Sequence, residues 1–294
     1  MISSPAMVDG ERDLGLWVTE AVRGYVNESP ENSLQDEAGE RAWADPLVGF
    51  SSGADPLYPF YKEDIGSFFM TPVEWFNAVY PELEVDPGEL TVISWVLPQT
   101  QATKAEHRLP RRMPTERWAR ARIFGEAFNV KLRGHVVETL KEAGIQAVSP
   151  MIHPDWERFK SEKYNFASNW SERHAAYAAG LGTFGLCDGL ITPRGKAMRS
   201  GSVIARIDIP PSPRPYEDHH AYCLWYAKGT CKECVPRCPA NAISEAGHDK
   251  ERCSAYLQVT RRYVEDTLKI EGYGCGLCQT GVACESGIPK ELLI

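Results

Sequence analysis

The stretch YCLWYAKGTCKECVPRCPANAIS, from Tyr222 to Ser244, carries four cysteines, with a proline directly after the last of them. Thiols at such close spacing on a loop are typical of metal-binding sites. The chain has nine cysteines, and all but Cys187 lie in its C-terminal quarter. An odd number of cysteines in a chain without an export signal argues against a disulfide framework and favours metal in a reducing compartment.

The spacing within this stretch indicates iron–sulfur clusters. Cys231, Cys234, Cys238 and Pro239 match the last three cysteines and the proline of the motif C-x2-C-x2-C-x3-C-P. Its first position falls on Lys228, so we expect the missing thiolate to come from Cys223 through a longer spacer. A second group repeats the short spacing and consists of Cys275 and Cys278, with Cys253 upstream and Cys284 downstream.

Two 4Fe–4S clusters need eight thiolates, and eight cysteines remain once Cys187 is set aside. In two-cluster ferredoxins the fourth cysteine of one motif ligates the other cluster. This crossed pattern predicts a first cluster on Cys223, Cys231, Cys234 and Cys284. It predicts a second cluster on Cys238, Cys253, Cys275 and Cys278. Zinc also binds four-cysteine sites with C-x2-C pairs, but the proline ending and the number of cysteines favour iron–sulfur.

Length and composition indicate a globular chain of one large or two modest domains. Its 294 residues are 43% hydrophobic and 24% charged, which is ordinary for globular proteins. The formal net charge is −8, whereas a general nucleic-acid binder has a basic surplus. No apolar run approaches the ~20 residues of a membrane helix, and the opening MISSPAMVDGERD shows no secretory signal. We expect a cytoplasmic protein with no membrane partner.

A run of arginines departs from this acidic balance. It is either a solvated helix face or a clamp for an anionic ligand, and the pattern favours the solvated face. The run comprises Arg108, Arg111, Arg112, Arg117, Arg120 and Arg122.

Three segments follow one another along the chain. Residues 1–45 predict an N-terminal helix, LGLWVTEAVRGYV, and then a mobile linker, SPENSLQDEAGE. Residues 46–215 predict an α/β (α+β) domain, because a strand, a long helix and a further strand follow in order. Residues 216–294 predict a bacterial ferredoxin-like domain with two 4Fe–4S clusters.

The elements of the middle segment are set by apolar spacing and by helix-capping residues. TVISWVLP (Thr91–Pro98) predicts a buried strand, and apolar residues at helical spacing predict a helix over Thr115–Ala143. IQAVSP predicts a short strand, and alternation predicts another strand over Ser202–Ile209. A second helix is predicted over Asn169–Ala179, with Asn169 as its cap and Glu172 completing a capping box.

The residues just before the cysteines resemble a known family. SERHAAYAAGLGTFGLCDGLITPRGKAMRSGSVIARIDIP (Ser171–Pro210) resembles the segment that precedes the clusters in epoxyqueuosine reductases and reductive dehalogenases. CKECVPRCPANAIS resembles their ferredoxin module, and RCSAYLQVTRRY resembles the stretch with the lone cysteine between the two motifs. The likeness covers roughly residues 50 to 290.

This resemblance implies a cobalamin (a corrinoid) held base-off in the α/β domain beside the nearer cluster, in an oxidoreductase that carries out reductive chemistry. The base-off state agrees with the absence of a D-x-H-x-x-G motif, since Asp218-His219-His220 lacks the glycine. The resemblance implies a small-molecule substrate and an external low-potential electron donor of the ferredoxin or flavodoxin type. A corrinoid-free electron carrier and an epoxyqueuosine reductase acting on tRNA are the alternatives; tRNA is not expected, because the net charge is −8 and the helical-repeat extension is missing.

The family's catalytic aspartate would fall at Phe166, which cannot donate a proton. Dehalogenases use a tyrosine supported by a basic residue and an asparagine, so Tyr164, Asn165 and Arg199 are the candidate catalytic residues. The candidate corrinoid-binding residues are Gly180, Gly182, Gly185, Cys187 and Arg194.

Each corrinoid candidate has a competing explanation. The glycines serve either a close approach to the macrocycle or a helix end and tight turn. Cys187 is an inert small hydrophobe, a contact to the cofactor or a reactive thiol. Arg194, Lys196 and Arg199 bind the corrinoid edge, steady a developing anion or lie on a solvated loop.

Overall fold

A computed structural model describes residues 7–8 and 11–293. The first part of the predicted N-terminal segment lies outside these residues. The strands are β1 (Met7–Val8), β2 (Glu11–Arg12), β3 (Leu47–Ser52), β4 (Thr91–Pro98), β5 (Ala147–Val148), β6 (Arg158–Ser161), β7 (Asn165–Ser168), β8 (Thr183–Phe184), β9 (Leu190–Ile191), β10 (Met198–Ala205), β11 (Ile243–Ser244) and β12 (Gly247–His248). The helices are α1 (Leu14–Glu28), α2 (Leu57–Ile65), α3 (Pro72–Val79), α4 (Gln101–His107), α5 (Glu116–Glu142), α6 (Glu172–Ala178), α7 (Leu224–Lys228), α8 (Cys234–Arg237) and α9 (Lys250–Tyr263).

The centre of the fold is an antiparallel sheet with strand order β3-β4-β10-β5. Every residue of β4 is buried, as its run of apolar and β-branched residues predicts. Strand β10 begins at Met198 and ends at Ala205, so the prediction of Ser202–Ile209 is wrong at both ends. Its end follows from the register, because Ala205 pairs with Thr91, the first residue of β4.

Helix α5 agrees with its prediction almost to the residue. The Thr115 side chain caps its first turn by accepting from the Trp118 amide, and the helix ends at Ala143 and Gly144, whose φ of +81° suits glycine. One face of α5 packs with α1 against the sheet in a single apolar core. The other face of the sheet covers a second core with α2, α3 and α6.

The prediction of a mobile linker after α1 is wrong. Leu34 is fully buried in the core shared by α1 and α5. Asn32 is also buried, and its side chain donates to the carbonyls of Val26 and Trp43 and accepts from the Trp43 amide. A polar segment is therefore anchored by one apolar residue and by one amide that satisfies three backbone groups.

Helix α6 begins three residues later than predicted, and Asn169 is not its cap. The Asn169 side chain instead accepts from the Glu157 amide and donates to the Asp155 carbonyl. Ser171 stands at the N-cap position without a side-chain capping bond, and Glu172 turns into the core.

The chain after residue 216 consists of α7, α8, the hairpin of β11 and β12, helix α9 and loops. The structure is thus the mixed α/β fold that the sequence predicts, while a ferredoxin-like domain stays a prediction. Among the helices in the described residues, none has the length and hydropathy needed to cross a bilayer.

Candidate iron–sulfur and reductase site

Four cysteines from both ends of the C-terminal segment line one cavity. Cys223 precedes α7, Cys231 lies on the loop before α8, Cys234 is the first residue of α8, and Cys284 lies on the last loop. Leu186, Ile191 and Leu224 form part of the apolar wall. Four thiols around an apolar cavity match the donor set of a cubane cluster, whose ligands surround a volume rather than a point. These are the four residues predicted for the first cluster.

The cysteines of the second predicted set also lie near one another. The pKa of Cys275 is raised to about 11, chiefly by burial and further by the nearby Cys253 and Cys238 thiols. Cys278 is close to Cys275 and within hydrogen-bonding reach of Cys187. Within residues 7–8 and 11–293, no three His, Cys, Asp or Glu side chains are grouped so that they could hold a single metal ion.

Cys187 lies between the two cysteine groups. It is buried, and the Cys234 and Cys278 thiols are close to its own thiol. The Lys196 ammonium donates to the Cys187 sulfur at 3.3 Å. Sequence reasoning set Cys187 aside as the leftover thiol, and nothing in its spacing indicates this central position.

Lys196 is buried, with 3% of its surface exposed, and it also lines the four-cysteine cavity. The suggestion of a solvated loop is therefore wrong for this residue. Burial alone would lower the pKa of Lys196, but the surrounding sulfur atoms, with Cys187 the largest contributor, raise it well above its usual value. The side chain remains an ammonium.

The glycine-rich turn after α6 is explained by local packing. Gly180 has a φ of +76°, and a Cβ there would lie 2.3 Å from the Pro213 carbonyl oxygen. A Cβ on Gly182 would lie 2.3 Å from the Ile191 carbonyl oxygen. The Gly185 amide closes a tight turn to the Gly189 carbonyl at 2.8 Å. A role of these glycines in binding a corrinoid stays a prediction.

The loop that follows LITP (Leu190–Pro193), here called the LITP loop, is fixed to the segment that carries Cys284. Gly195 has a φ of +86°, and a Cβ there would lie 2.0 Å from the Glu285 carbonyl oxygen. The Lys196 amide donates to the Cys284 carbonyl at 2.9 Å. Arg194 is about half exposed and lies 3.9 Å from Asp45. The backbone of this loop therefore joins the α/β core to the last cysteine.

The three candidate catalytic residues have separate partners. The Tyr164 hydroxyl donates to Asp64 at 2.5 Å, and the Asn165 amide donates to Glu251 at 2.9 Å. Arg199 pairs with Glu126 at 2.6 Å. In the described part of the chain, no hydrogen bond or ion pair joins Tyr164 or Asn165 to Arg199. Their joint catalytic role stays a prediction.

Phe166 lies on β7, and half of its surface is exposed to solvent (52%). Its carbonyl accepts from the Lys250 ammonium at 3.2 Å. The Lys163 and Lys250 ammonium groups lie 5.1 Å and 5.2 Å from the centre of the neighbouring Tyr164 ring. The exposed Phe166 ring thus lies two residues from a tyrosine whose ring contacts two lysines.

The arginine run forms neither one solvated face nor one clamp. Arg108 pairs with the mostly buried Glu285, and Arg117 pairs with Glu40 and Glu106. Arg120 pairs with Glu116. These arginines are largely neutralised by their own partners.

Arg122, the last residue of the run, belongs to a basic group around Tyr273. Its guanidinium donates to the Tyr273 hydroxyl at 2.8 Å and stacks 4.8 Å from the ring centre. Arg261 lies over the same ring at 5.4 Å. Burial would raise the pKa of Tyr273, but Arg122 and, to a smaller extent, Arg199 and Arg158 hold it below its usual value. Sequence reasoning missed this group, because its members lie on four separate segments.

No protein-family model matches the chain. A curated epoxyqueuosine reductase from Staphylococcus aureus (strain NCTC 8325 / PS 47) is 30% identical to it over 127 residues, which cover 41% of this chain. The match spans 31% of that protein, so it covers less than a third of the relative's length.

Solved structures of two kinds of reductase align with this chain. A catabolic reductive dehalogenase aligns over 95% of this chain and 38% of its own, with a TM-score of 0.52 and 14% identity, which shows a common fold. An epoxyqueuosine reductase solved with an epoxyqueuosine-modified tRNA stem loop aligns over 84% of this chain and 63% of its own, with a TM-score of 0.46 and 19% identity. The predicted resemblance to these two groups of reductases is confirmed.

The expectation of a small-molecule partner, with tRNA excluded, is wrong. The curated relative is an epoxyqueuosine reductase, the class of protein that the sequence analysis set aside as an alternative. The physical error lies in using a net charge of −8 for the whole chain. Net charge averages over the whole surface, whereas binding responds to the charge at one place on it.

Proposed function

We propose that this chain is an iron–sulfur oxidoreductase of the epoxyqueuosine reductase type, with two 4Fe–4S clusters, a corrinoid beside the first cluster and a modified tRNA nucleoside as its substrate. The observation that carries the proposal is the cavity lined by Cys223, Cys231, Cys234 and Cys284. Four cysteines from separate parts of the chain around one cavity supply the donor set that a cubane cluster requires.

The second cluster is supported by the gathering of its four predicted cysteines close to the first set. Cys238, Cys253 and Cys278 all lie near Cys275. Two clusters in adjacent sites form a short route for electrons, and their potentials depend on charge, hydrogen bonds and exposure.

A corrinoid fits the proposed reaction because low-valent cobalt is a strong reductant, and that is the chemistry it would supply when bound. The LITP loop would hold it next to the first cluster, since this loop is fixed through Lys196 and Gly195 to the Cys284 segment. Arg194, which is half exposed on the same loop and lies 3.9 Å from Asp45, would reach the polar edge of the macrocycle. The polypeptide would orient the cofactor and exclude water.

A tRNA substrate is supported by the curated relative and by the local charge. Arg122, Arg199 and Arg261 lie near Tyr273, and Arg122 has no carboxylate within 4 Å among the described residues. Guanidinium groups bind phosphate in a bidentate manner. Phe166 adds an exposed ring, and unpaired RNA bases stack on such rings.

Removing an epoxide oxygen as water consumes two electrons and two protons. The position of the family's aspartate holds Phe166, so the protons must come from other groups. Tyr164 is the nearest candidate along the chain, and its hydroxyl is hydrogen-bonded to Asp64. Burial and the Asp64 carboxylate raise the pKa of Tyr164, so it stays protonated at neutral pH and can donate.

The test uses protein purified without oxygen and reconstituted with iron, sulfide and cobalamin. We expect about eight irons and one cobalt per chain after gel filtration, with a base-off cobalamin spectrum. Reduced protein should then convert an epoxyqueuosine-containing tRNA stem loop to the deoxygenated nucleoside, as followed by mass spectrometry. A zinc-loaded protein with little iron would refute the clusters. Full iron without retained cobalt would refute the corrinoid and leave an electron carrier.

A further inference from the structure

Lys196 places a buried positive charge at the boundary between the two cysteine groups. Its side chain lines the cavity of Cys223, Cys231, Cys234 and Cys284, and its ammonium lies 3.3 Å from the Cys187 sulfur. Only 3% of the residue is exposed. The charge is therefore directed into the cavity and away from solvent.

Among the described residues, no carboxylate lies within 4 Å of the Lys196 ammonium. Glu285, which follows Cys284 on the neighbouring loop, is occupied by Arg108 and by the Gly281 amide. A buried ammonium is costly unless an opposite charge compensates for it. The groups that surround this one are the sulfur atoms of cysteines, so the compensating charge must come from thiolates.

The backbone holds Lys196 in this position from two directions. Its amide donates to the carbonyl of Cys284 at 2.9 Å, and the Gly195 φ of +86° brings the loop against Glu285. The Cys187 thiol accepts from the ammonium and fixes the end of the side chain. These contacts hold the Lys196 ammonium in one defined position.

We propose that the Lys196 ammonium raises the reduction potential of the first cluster, and that Cys187 positions this ammonium without ligating iron. The inference rests on the proposed two-cluster function. Reduction adds one electron to the cluster, supplied by an external one-electron donor, and breaks or forms no bond. The reduced cluster is the more negative state, so a nearby positive charge in a poorly hydrated site stabilises it.

The experiment is an EPR-monitored redox titration of the reconstituted protein with titanium(III) citrate. Lys196→Met removes the charge and keeps the length of the side chain, and Lys196→Arg keeps the charge. Lys232→Met is the matched control, since Lys232 follows the predicted ligand Cys231 but is half exposed and pairs with Glu245. Solvent screens the charge of Lys232.

At a fixed potential, we expect the ratio of reduced to oxidised first cluster to fall at least about tenfold in Lys196→Met, which is about 59 mV for a one-electron couple. Lys196→Arg and Lys232→Met should stay near the unaltered protein, and the first cluster should shift more than the second. Unchanged potentials in a Lys196→Met protein with full iron would overturn the inference.

Iron content separates this inference from the proposed function. Low iron in the unaltered protein would refute the clusters themselves. If Lys196→Met and Lys196→Gln both lack the first cluster while Lys196→Arg has it, the charge serves cluster assembly and the inference is overturned. If Cys187→Ala loses iron, Cys187 is a ligand and its assignment here is overturned.

Discussion

The Nε atom of Arg133 lies 3.0 Å from Oε1 of Glu172, and both side chains are buried. This pair joins the long helix α5 to helix α6. Arg133 also donates to the Ser200 carbonyl at 3.2 Å, and Glu172 also accepts from the Ser202 hydroxyl. Both ends of the pair are thus tied to β10, the strand that runs on from the LITP loop.

Arg133→Met should lower the free energy of unfolding by about 3–5 kcal/mol, because it leaves a buried carboxylate without its cation. Burial already raises the pKa of Glu172, so the loss should shrink as the pH falls and Glu172 takes up a proton. Urea unfolding at several pH values measures this. Lys141→Met is the control, since its exposed pair with Glu138 should be worth under about 1 kcal/mol. Equal losses in both variants would contradict the role given to the buried pair.

Gly195→Ala should destabilise the docking of the last loop. A Cβ would meet the Glu285 carbonyl at 2.0 Å, and the φ of +86° is unfavourable for alanine. The strain of positive φ alone costs ~1–2 kcal/mol, and the overlap adds to it. Gly134→Ala, on helix α5, is the matched control, because its new Cβ meets nothing within 4 Å. The better helix propensity of alanine should raise the free energy of unfolding by about 0.5–1 kcal/mol. Thermal unfolding measures the stability of both variants. An unchanged stability of Gly195→Ala would show that the Gly195 loop does not pack against Glu285 as described.

Local sequence patterns predicted the bounds of β4 and α5 correctly. They failed where a side chain bonds to residues that are distant in sequence. The period and caps of α5 are contained in its own residues, so Thr115 and Gly144 mark its ends correctly. Asn169 has the right type for a helix cap, but its amide is used by Glu157 and Asp155. Nothing in the sequence near Lys196 indicates that a loop lysine is buried among sulfur atoms.

The sequence allows an assignment of the cysteines to clusters to be proposed, because cluster motifs have fixed spacing, and that assignment stays a prediction. The arginine group around Tyr273 could not be proposed from the sequence. Its members come from α5, β6, β10 and α9, and only the fold brings them together. The same limitation led to the wrong exclusion of tRNA, because a net charge does not say where on the surface the charged residues lie.

Cys223→Ala should lose about half of the iron, or fail to fold, since it removes one ligand of the first cluster and metal binding is coupled to folding. Cys187→Ala should retain all of the iron, because the eight other cysteines complete the two predicted sets of cluster ligands. Iron and acid-labile sulfide assays on both variants measure the difference. Full iron in Cys223→Ala would show that the long spacer does not supply a ligand.

His174 should make the protein sensitive to acid. Burial lowers its pKa to about 3, while an unfolded histidine titrates near ~6.5. Between these values only the unfolded chain binds the proton, so stability is complete above the unfolded pKa and falls as the pH decreases, by up to about 1.4 kcal/mol per pH unit. His174→Phe, packed between Tyr61 and Phe184, should reduce this slope. His219→Phe, at an exposed site, should leave the slope unchanged. Equal slopes in the unaltered protein and both variants would contradict the role given to His174.

The sequence resemblance puts the family's catalytic aspartate at Phe166, and the proposed tRNA substrate would give the exposed ring of Phe166 a base to stack on. Half of its surface is open, and Lys163 and Lys250 lie beside its neighbour Tyr164. Stacking of a base on an aromatic ring is worth about 1–3 kcal/mol, so Phe166→Ala should weaken binding of the modified stem loop by roughly 5–150-fold. Phe166→Tyr should retain the affinity. Leu109→Ala is the control, because Leu109 is equally apolar and 79% exposed but lies on the loop after α4. Fluorescence anisotropy with a labelled stem loop measures all three, and an unchanged affinity in Phe166→Ala would show that the ring does not contact the substrate.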